Sequence, residues 1–94
     1  MTTLVWSSSF VRALKRQRRR HPHLHDRVEE TLRRLGEDPF HPLLHTHKLT
    51  GQLSGTWACS VGHDMRILFE FVENPESGEA EILLLTVGTH DEVY

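Results

Sequence analysis

The sequence predicts a small α+β domain with the element order β-α-α-β-β-β. Two amphipathic helical patterns lie between residues 7 and 36, and three apolar, strand-like runs lie between residues 57 and 87. Because helices and strands come in separate runs rather than in alternation, the helices should form a hairpin that packs on one face of a small antiparallel or mixed sheet. The 94 residues suit one domain, 1–94, since a chain of this length buries roughly 60–65% of its unfolded surface.

The N-terminal part carries the first predicted strand and the first helix. Residues 4–6 are a short β-prone run, and the serines at 7–9 supply hydroxyls that can cap a helix. The helix after them has a narrow apolar seam, formed by Phe10, Val11 and Leu14. Its other faces are strongly basic, with Arg12, Lys15, Arg16, Arg18, Arg19 and Arg20.

The second helix is predicted by the regular spacing of its apolar residues. Pro22 suits its first turn, and Gly36 follows the last apolar position, where a glycine often ends a helix. The apolar positions are Leu24, Val28, Leu32 and Leu35. Because the break between the two helices is short, we expect them to fold back on each other as an antiparallel hairpin.

The C-terminal half predicts most of the sheet. Residues 38–42 hold two prolines, which exclude regular structure there, and residues 43–49 fit no single element. Strands are expected at 57–61, 65–72 and 80–87, with a hairpin loop at 74–78. The last strand is apolar on both faces, as a central strand should be, and we expect Gly88 to end it.

Composition narrows the class of protein. The hydrophobic and charged fractions, 37% and 26%, are usual for a soluble globular protein. The single cysteine, Cys59, excludes an internal disulfide and fits the reducing cytoplasm. No apolar run approaches the ~18 residues of a membrane span, and the first residues lack the charged and apolar regions of a signal peptide.

The net charge of −2 conceals a division of charge along the chain. Residues 1–50 have a net charge of +5, and residues 51–94 have a net charge of −7. A basic half on a small domain is a candidate surface for nucleic acid. Solvated arginines on an ordinary surface helix would give the same pattern, so charge alone leaves both interpretations open.

The eight histidines raise the question of a metal site. His21, His23 and His25 surround a proline, and no HExxH or CxxC element accompanies them or the pair His45 and His47. We expect a solvated helix start at the first group, and neither a metal nor another cofactor.

Five further polar residues lie at or near the edges of predicted strands or in loops, where functional groups tend to occur. They are His47, Asp64, Arg66, His90 and Tyr94. If these edges converge, one cleft would hold groups able to cleave RNA without a metal. Histidine can move the protons of the ribose 2′-hydroxyl and the 5′-oxygen. Arginine can hold the phosphate, and a phenol can align it or stack on a base.

Three segments together resemble the RelE/ParE superfamily of bacterial toxins from type II toxin–antitoxin modules, and most closely its RelE-type and YafQ-type mRNA interferases. The segments are HKLTG at 47–51, DMRILFEF at 64–71 and GTH at 88–90, followed by Val93 and Tyr94. The predicted element order also matches the fold of that superfamily. The resemblance covers essentially the whole chain.

The resemblance implies roles for the candidate residues. The functional histidines, aspartate and C-terminal aromatic of YafQ-like enzymes are matched by His47, Asp64, His90 and Tyr94. RelE-like members bind the phosphate with an arginine in the register of Arg66.

The chain departs from both patterns. Ser60 stands where YafQ-like proteins have a further histidine, and His63 is the candidate substitute. Met65 stands where an aromatic is common, and residues 57–61 lack the lysines of RelE-like members.

As a whole, the resemblance implies a metal-independent endoribonuclease that cuts mRNA on the ribosome and is held inactive by a cognate antitoxin. The basic first helix and Lys48 would then contact 16S or 23S ribosomal RNA. Two alternatives stay open: a ParE-like inhibitor of DNA gyrase that acts by binding alone, and a nucleic-acid-binding homologue without catalysis. His90 and Tyr94 favour the enzyme, because binding alone needs no imidazole at that position.

Overall fold

The computed structural model describes residues 1–94 and contains five strands and three α-helices. Strand β1 (Thr3–Trp6) leads into helices α1 (Ser8–Arg20) and α2 (His25–Glu37). The remaining elements are β2 (His47–Lys48), β3 (Trp57–Val61), β4 (Met65–Glu73), β5 (Ala80–Thr89) and α3 (His90–Val93). None of the helices combines the length and the apolarity that a membrane span requires.

The five strands form one mixed sheet in the order β1-β5-β4-β3-β2. β1 runs parallel to β5, and the other neighbouring strands are antiparallel. β5 therefore lies in the interior of the sheet, which explains why its sequence is apolar on both faces. The predicted α+β architecture with a mixed sheet is confirmed.

The start of α1 is fixed against the sheet by two serines. The Ser7 hydroxyl accepts the backbone N–H of Phe10 at 3.0 Å, so the predicted N-cap is present. The Ser9 hydroxyl donates to the carbonyl oxygen of Leu85 at 2.8 Å. Leu85 is the residue that the register shift between β4 and β5 leaves without a partner across the ladder, so Ser9 satisfies a carbonyl at a bulge.

The core lies between the helical hairpin and one face of the sheet, as predicted. The helices contribute Phe10, Ala13, Leu14, Val28, Leu32 and Leu35, and the strands contribute Cys59, Val61, Met65, Ile67, Phe69, Ile82, Leu84 and Val87. Burial raises the pKa of the Cys59 thiol to about 12. This cysteine is consequently a neutral core side chain rather than a reactive thiol.

Two short elements lie outside the sequence prediction. β2 pairs as a two-residue edge strand with Trp57 and Ala58 of β3, and the tail after β5 forms the single turn of α3. Two residues carry no measurable alternation and four residues make only one helical turn, so neither element leaves a periodic signal in the sequence.

The prediction that Gly88 ends the last strand is wrong. Gly88 pairs with Arg66 inside β5, which continues to Thr89. A Cβ atom at Gly88 would lie 3.1 Å from Cγ1 of Val93 and 3.3 Å from Cβ of Glu92. The glycine therefore leaves room for α3 to fold back against the strand.

Gly36 does not end its helix either, because α2 continues to Glu37. The Gly36 carbonyl accepts the backbone N–H of Thr2 at 2.7 Å, and a Cβ atom at Gly36 would lie 3.4 Å from the Thr2 carbonyl oxygen. The small residue thus permits a close approach between the N-terminal segment and the last turn of α2.

Candidate active site

The tail after β5 presents two of the predicted site residues side by side. His90 and Tyr94 are four residues apart at the start and end of the helical turn, so they share one side of it. Their ring centroids lie 4.4 Å apart in an edge-to-face arrangement with an interplanar angle of 77°. The imidazole and the phenol are therefore in direct contact.

The backbone of α3 is anchored to the turn between β3 and β4. The backbone N–H of His90 donates to the carbonyl oxygen of Asp64 at 3.1 Å. Thr89 and Glu92 form a capping box, in which the Glu92 carboxylate accepts the backbone N–H of Thr89 at 2.8 Å. These bonds fix the direction in which the turn leaves the sheet.

Arg66 supplies a positive charge beside the pair. Its Nη1 donates to the carbonyl oxygens of Met65 at 3.0 Å and His63 at 3.5 Å, and none of the ion pairs within 4.0 Å involves it. Partial burial raises the pKa of Tyr94, and the nearby Arg66 guanidinium partly offsets that rise. The phenol therefore stays protonated at neutral pH and can donate a hydrogen bond.

His47 lies on the same face of the sheet as Arg66. His47 pairs with Ala58 and Arg66 pairs with Ser60, and residues two apart on β3 point to the same side. This face is opposite to the one that Cys59 and Val61 present to the helices. β2 and β4 are two strand spacings apart, about 10 Å, so His47 lies across the face from Arg66 rather than against it.

The His47 ring has a defined orientation. Its Nδ1 lies 2.8 Å from the carbonyl oxygen of His45. Because a carbonyl oxygen can only accept, Nδ1 must carry the proton in this contact, and Nε2 of the neutral ring is left as a proton acceptor. This geometry suits a general base.

Asp64 is joined to the tail through its backbone carbonyl oxygen. Its carboxylate forms none of the side-chain hydrogen bonds or ion pairs of the structure. The residue lines a cavity of about 200 Å³ together with His21, Leu24, Arg27, Val61, His63, Met65 and Thr89. A backbone hydrogen bond therefore joins Asp64 to His90. The cavity that Asp64 lines lies beside the helical hairpin.

The basic face of α1 forms an open cleft of about 470 Å³ lined only by Arg12, Lys15, Arg16, Arg19 and Arg20. These positions recur at helical spacing, so their charges lie on one face. Of the five side chains, Arg20 alone has an ion-pair partner, Glu92 at 2.7 Å. Like charges four residues apart destabilise a helix by about 0.2–0.5 kcal/mol per pair, so this cleft is unfavourable for folding and suited to binding an anion.

The two other predicted nucleic-acid contacts lie elsewhere. Arg18 lines a smaller cavity between α1 and α2. Lys48 lies at the other edge of the sheet, with its Nζ 5.6 Å from the ring centroid of Trp57. Because Lys48 alternates with His47 along β2, it points to the opposite face of the sheet.

One group of side chains could offer ligand atoms to a metal ion. His25, Asp26 and Glu29 have such atoms within 4.8 Å of one another. The His25 ring already contacts the Glu29 carboxylate at 3.1 Å, so an ordinary pair between successive helical turns accounts for the group. The group lies on α2.

Two residues that hold the tail were not predicted from the sequence. The Glu92 carboxylate accepts a hydrogen bond from Nε2 of Gln17 at 3.0 Å, in addition to the Arg20 contact. The pKa of Glu92 is lowered mainly by the hydrogen bond from the backbone N–H of Thr89. Gln17 and Arg20 lower it further. The Thr-x-x-Glu spacing of a capping box was a signal for Glu92, whereas no local pattern marks Gln17.

The fold and the site together define a class of protein. A mixed five-stranded sheet with a helical hairpin on one face is the RelE-like fold. A protein-family profile described as "Bacterial toxin of type II toxin-antitoxin system, YafQ" matches residues 2–94. The chain therefore belongs to the YafQ family of toxins from type II toxin–antitoxin systems.

Solved structures show the same fold. YafQ from E. coli strain BL21(DE3) superposes with a TM-score of 0.79 at 14% identity, over 100% of this chain and 99% of that one. YafQ in the E. coli DinJ–YafQ complex superposes with a TM-score of 0.76 at 14% identity, over 100% of this chain and 99% of that one. The YoeB/ParE toxin from Agrobacterium tumefaciens superposes with a TM-score of 0.73 at 18% identity, over 95% of this chain and 99% of that one. No protein with a curated description matches the chain.

Proposed function

We propose that this toxin is a metal-independent endoribonuclease that cleaves mRNA on the ribosome and so inhibits translation. The observation that supports this proposal is the contact between His90 and Tyr94, with the Arg66 charge beside Tyr94. Together they provide an imidazole that can give or take a proton, a hydrogen-bond donor and a fixed positive charge. Phosphoryl transfer needs this set of groups for proton transfer and for stabilising developing charge.

In the proposed reaction the ribose 2′-hydroxyl attacks the adjacent phosphorus. A 2′-oxygen–phosphorus bond forms and the bond to the 5′-oxygen breaks, which leaves a 2′,3′-cyclic phosphate and a 5′-hydroxyl. We assign the base to His47, since its Nε2 is free, and the acid to His90, which protonates the leaving oxygen. Arg66 and Tyr94 stabilise the charge on the phosphate oxygens, and Asp64 holds His90 through its carbonyl.

The proposal includes partners. The E. coli complex of YafQ with DinJ supports a cognate antitoxin for this chain as well. Ribosomal RNA and mRNA are the proposed ligands of the basic cleft, because its charges lack carboxylate partners apart from Arg20. The site of action would be the cytoplasm, where ribosomes translate, and the reaction needs no cofactor.

Mapping of mRNA ends in a translating bacterial extract tests the proposed activity. Addition of the purified protein should produce new 5′-hydroxyl ends within the translated region, and puromycin, which empties the ribosomes, should abolish them. New ends that form equally without ribosomes would reject the ribosome requirement. Loss of supercoiling with no new RNA ends would support the gyrase inhibitor instead.

Neutralising part of the basic cleft should weaken binding to ribosomes. In the double variant Arg12→Gln/Arg16→Gln, we expect the slope of log affinity against log salt to become shallower by about one unit for each phosphate that the protein no longer neutralises. Ribosome co-sedimentation across a salt series measures this slope. The thermal midpoint should not fall, because the substitutions relieve repulsion within α1.

A matched control removes the same charge from α2. Arg33 and Arg34 are already paired with Glu30 and Glu37, so Arg33→Gln/Arg34→Gln should leave the salt slope unchanged. An equal change in the two double variants would mean that net charge, rather than the cleft of α1, determines ribosome binding.

A further inference from the structure

The carboxylate of Glu92 joins the catalytic tail to the C-terminal half of α1. It accepts hydrogen bonds from Nε2 of Gln17 at 3.0 Å and from Nη1 of Arg20 at 2.7 Å, as well as from its own capping box. Seventy-five residues separate Gln17 from Glu92. These contacts are therefore tertiary, and they cross from the helical layer to the turn that carries His90 and Tyr94.

The Gln17 side chain is buried with one of its two polar atoms unpaired. Gln17 is 3% exposed, and its Oε1 is buried without a hydrogen-bond partner, while its Nε2 points to Glu92. A buried acceptor without a partner destabilises a fold. The unpaired Oε1 therefore lowers stability, whereas Nε2 ties the side chain to Glu92.

The tail is held at a small number of points. α3 is one helical turn of four residues, which is too short to be stable alone, and Tyr94 is 42% exposed. Glu92 and Val93 pack closely on Gly88. The position of the histidine–tyrosine pair thus depends on the backbone bond to Asp64, on the packing against Gly88 and on the contacts of Glu92.

We propose that Gln17 and Glu92 are positioning residues, which hold α3 so that His90 and Tyr94 face the phosphate bound at Arg66. This inference rests on the proposed ribonuclease function. Arg20 contributes to the same contact and also lines the basic cleft. The helix proposed to bind ribosomal RNA and the turn proposed to carry catalysis are therefore joined by one carboxylate.

The variant Gln17→Met separates positioning from folding. Methionine has a similar volume and removes both the unpartnered oxygen and the donor to Glu92. We expect the thermal midpoint to stay the same or to rise, while kcat for mRNA cleavage falls about 10- to 100-fold, since small misplacements of reacting groups cost this much. KM should change little, in contrast to the cleft variants, because the RNA contacts stay in place.

The double variant Gln17→Met/Glu92→Gln should lose no more kcat than the larger of the two single losses, because both residues act through one contact. Glu37→Gln is the matched control for removing a carboxylate: Glu37 pairs with Arg33 at 3.2 Å on α2, and its kcat should equal that of the wild type. An unchanged kcat in Gln17→Met, or fully additive losses in the double variant, would overturn the proposal.

Amide hydrogen exchange gives a readout that does not depend on activity. The N–H groups of His90 and Tyr94, which donate to Asp64 and His90, should exchange faster in Gln17→Met, whereas the amides of β4 should not. If exchange is faster in the variant but the wild type cleaves no mRNA, the proposed ribonuclease function is rejected and the positioning role of the Gln17–Glu92 contact is supported. If exchange is unchanged in the variant and the wild type is active, the positioning role of Gln17 and Glu92 is rejected while the ribonuclease function stands.

Discussion

Replacement of His90 by alanine should lower the rate of mRNA cleavage about 10²- to 10⁴-fold, which is the usual contribution of one general acid or base. The His90 side chain is exposed and contacts Tyr94 and Asp91, so its loss should change the free energy of unfolding by no more than about 0.5 kcal/mol. Single-turnover cleavage on programmed ribosomes gives the rate, and thermal unfolding gives the stability.

The same substitution at His23 is the control. His23 is an exposed histidine in the short connection between α1 and α2, and its ring contacts that of His21. The rate of His23→Ala should match that of the wild type. Similar rates for the two alanine variants would remove His90 from the proposed mechanism.

Replacement of Phe10 by alanine should have the largest effect on stability. Phe10 is fully buried and makes an edge-to-face contact with Trp6 at 5.3 Å. Loss of a buried phenylalanine typically costs about 3–5 kcal/mol, which is a large part of the roughly 5–15 kcal/mol that stabilises an ordinary domain. The midpoint of thermal unfolding should fall by about 12 °C or more.

Leu43→Ala provides the comparison for an exposed apolar residue. Leu43 is 63% exposed, and its truncation should change stability by about 0.5 kcal/mol or less. If the two variants unfold at similar temperatures, the packing of α1 on β5 is not the main source of stability in this fold.

The long elements of the fold could be predicted because burial leaves a periodic pattern. The spacing of Leu24, Val28, Leu32 and Leu35 specifies one face of α2, and the apolar run of β5 specifies an interior strand. The order of these elements then restricts the fold to a helical hairpin on a sheet. The short β2 and α3 escaped prediction, because elements of two and four residues cannot show a period.

The residues of the candidate site could be identified by type, but their relations depended on contacts between distant parts of the chain. The link between Asp64 and His90 is a backbone hydrogen bond between the β3–β4 turn and the tail. The free nitrogen of His47 depends on a carbonyl two residues away in a left-handed turn at His45. The contact of Gln17 with Glu92 crosses most of the chain, and a glutamine on a basic helix gives no sign of it.

The most direct test of the proposed mechanism uses an mRNA with one 2′-deoxynucleotide on the 5′ side of a mapped cleavage site. Attack by the 2′-hydroxyl requires that oxygen, so the bond should stay intact on the ribosome, while an unmodified mRNA is cut there. The modification leaves the phosphate available to Arg66 and Tyr94, so binding should persist. Cleavage of the modified bond at the normal rate would contradict the mechanism.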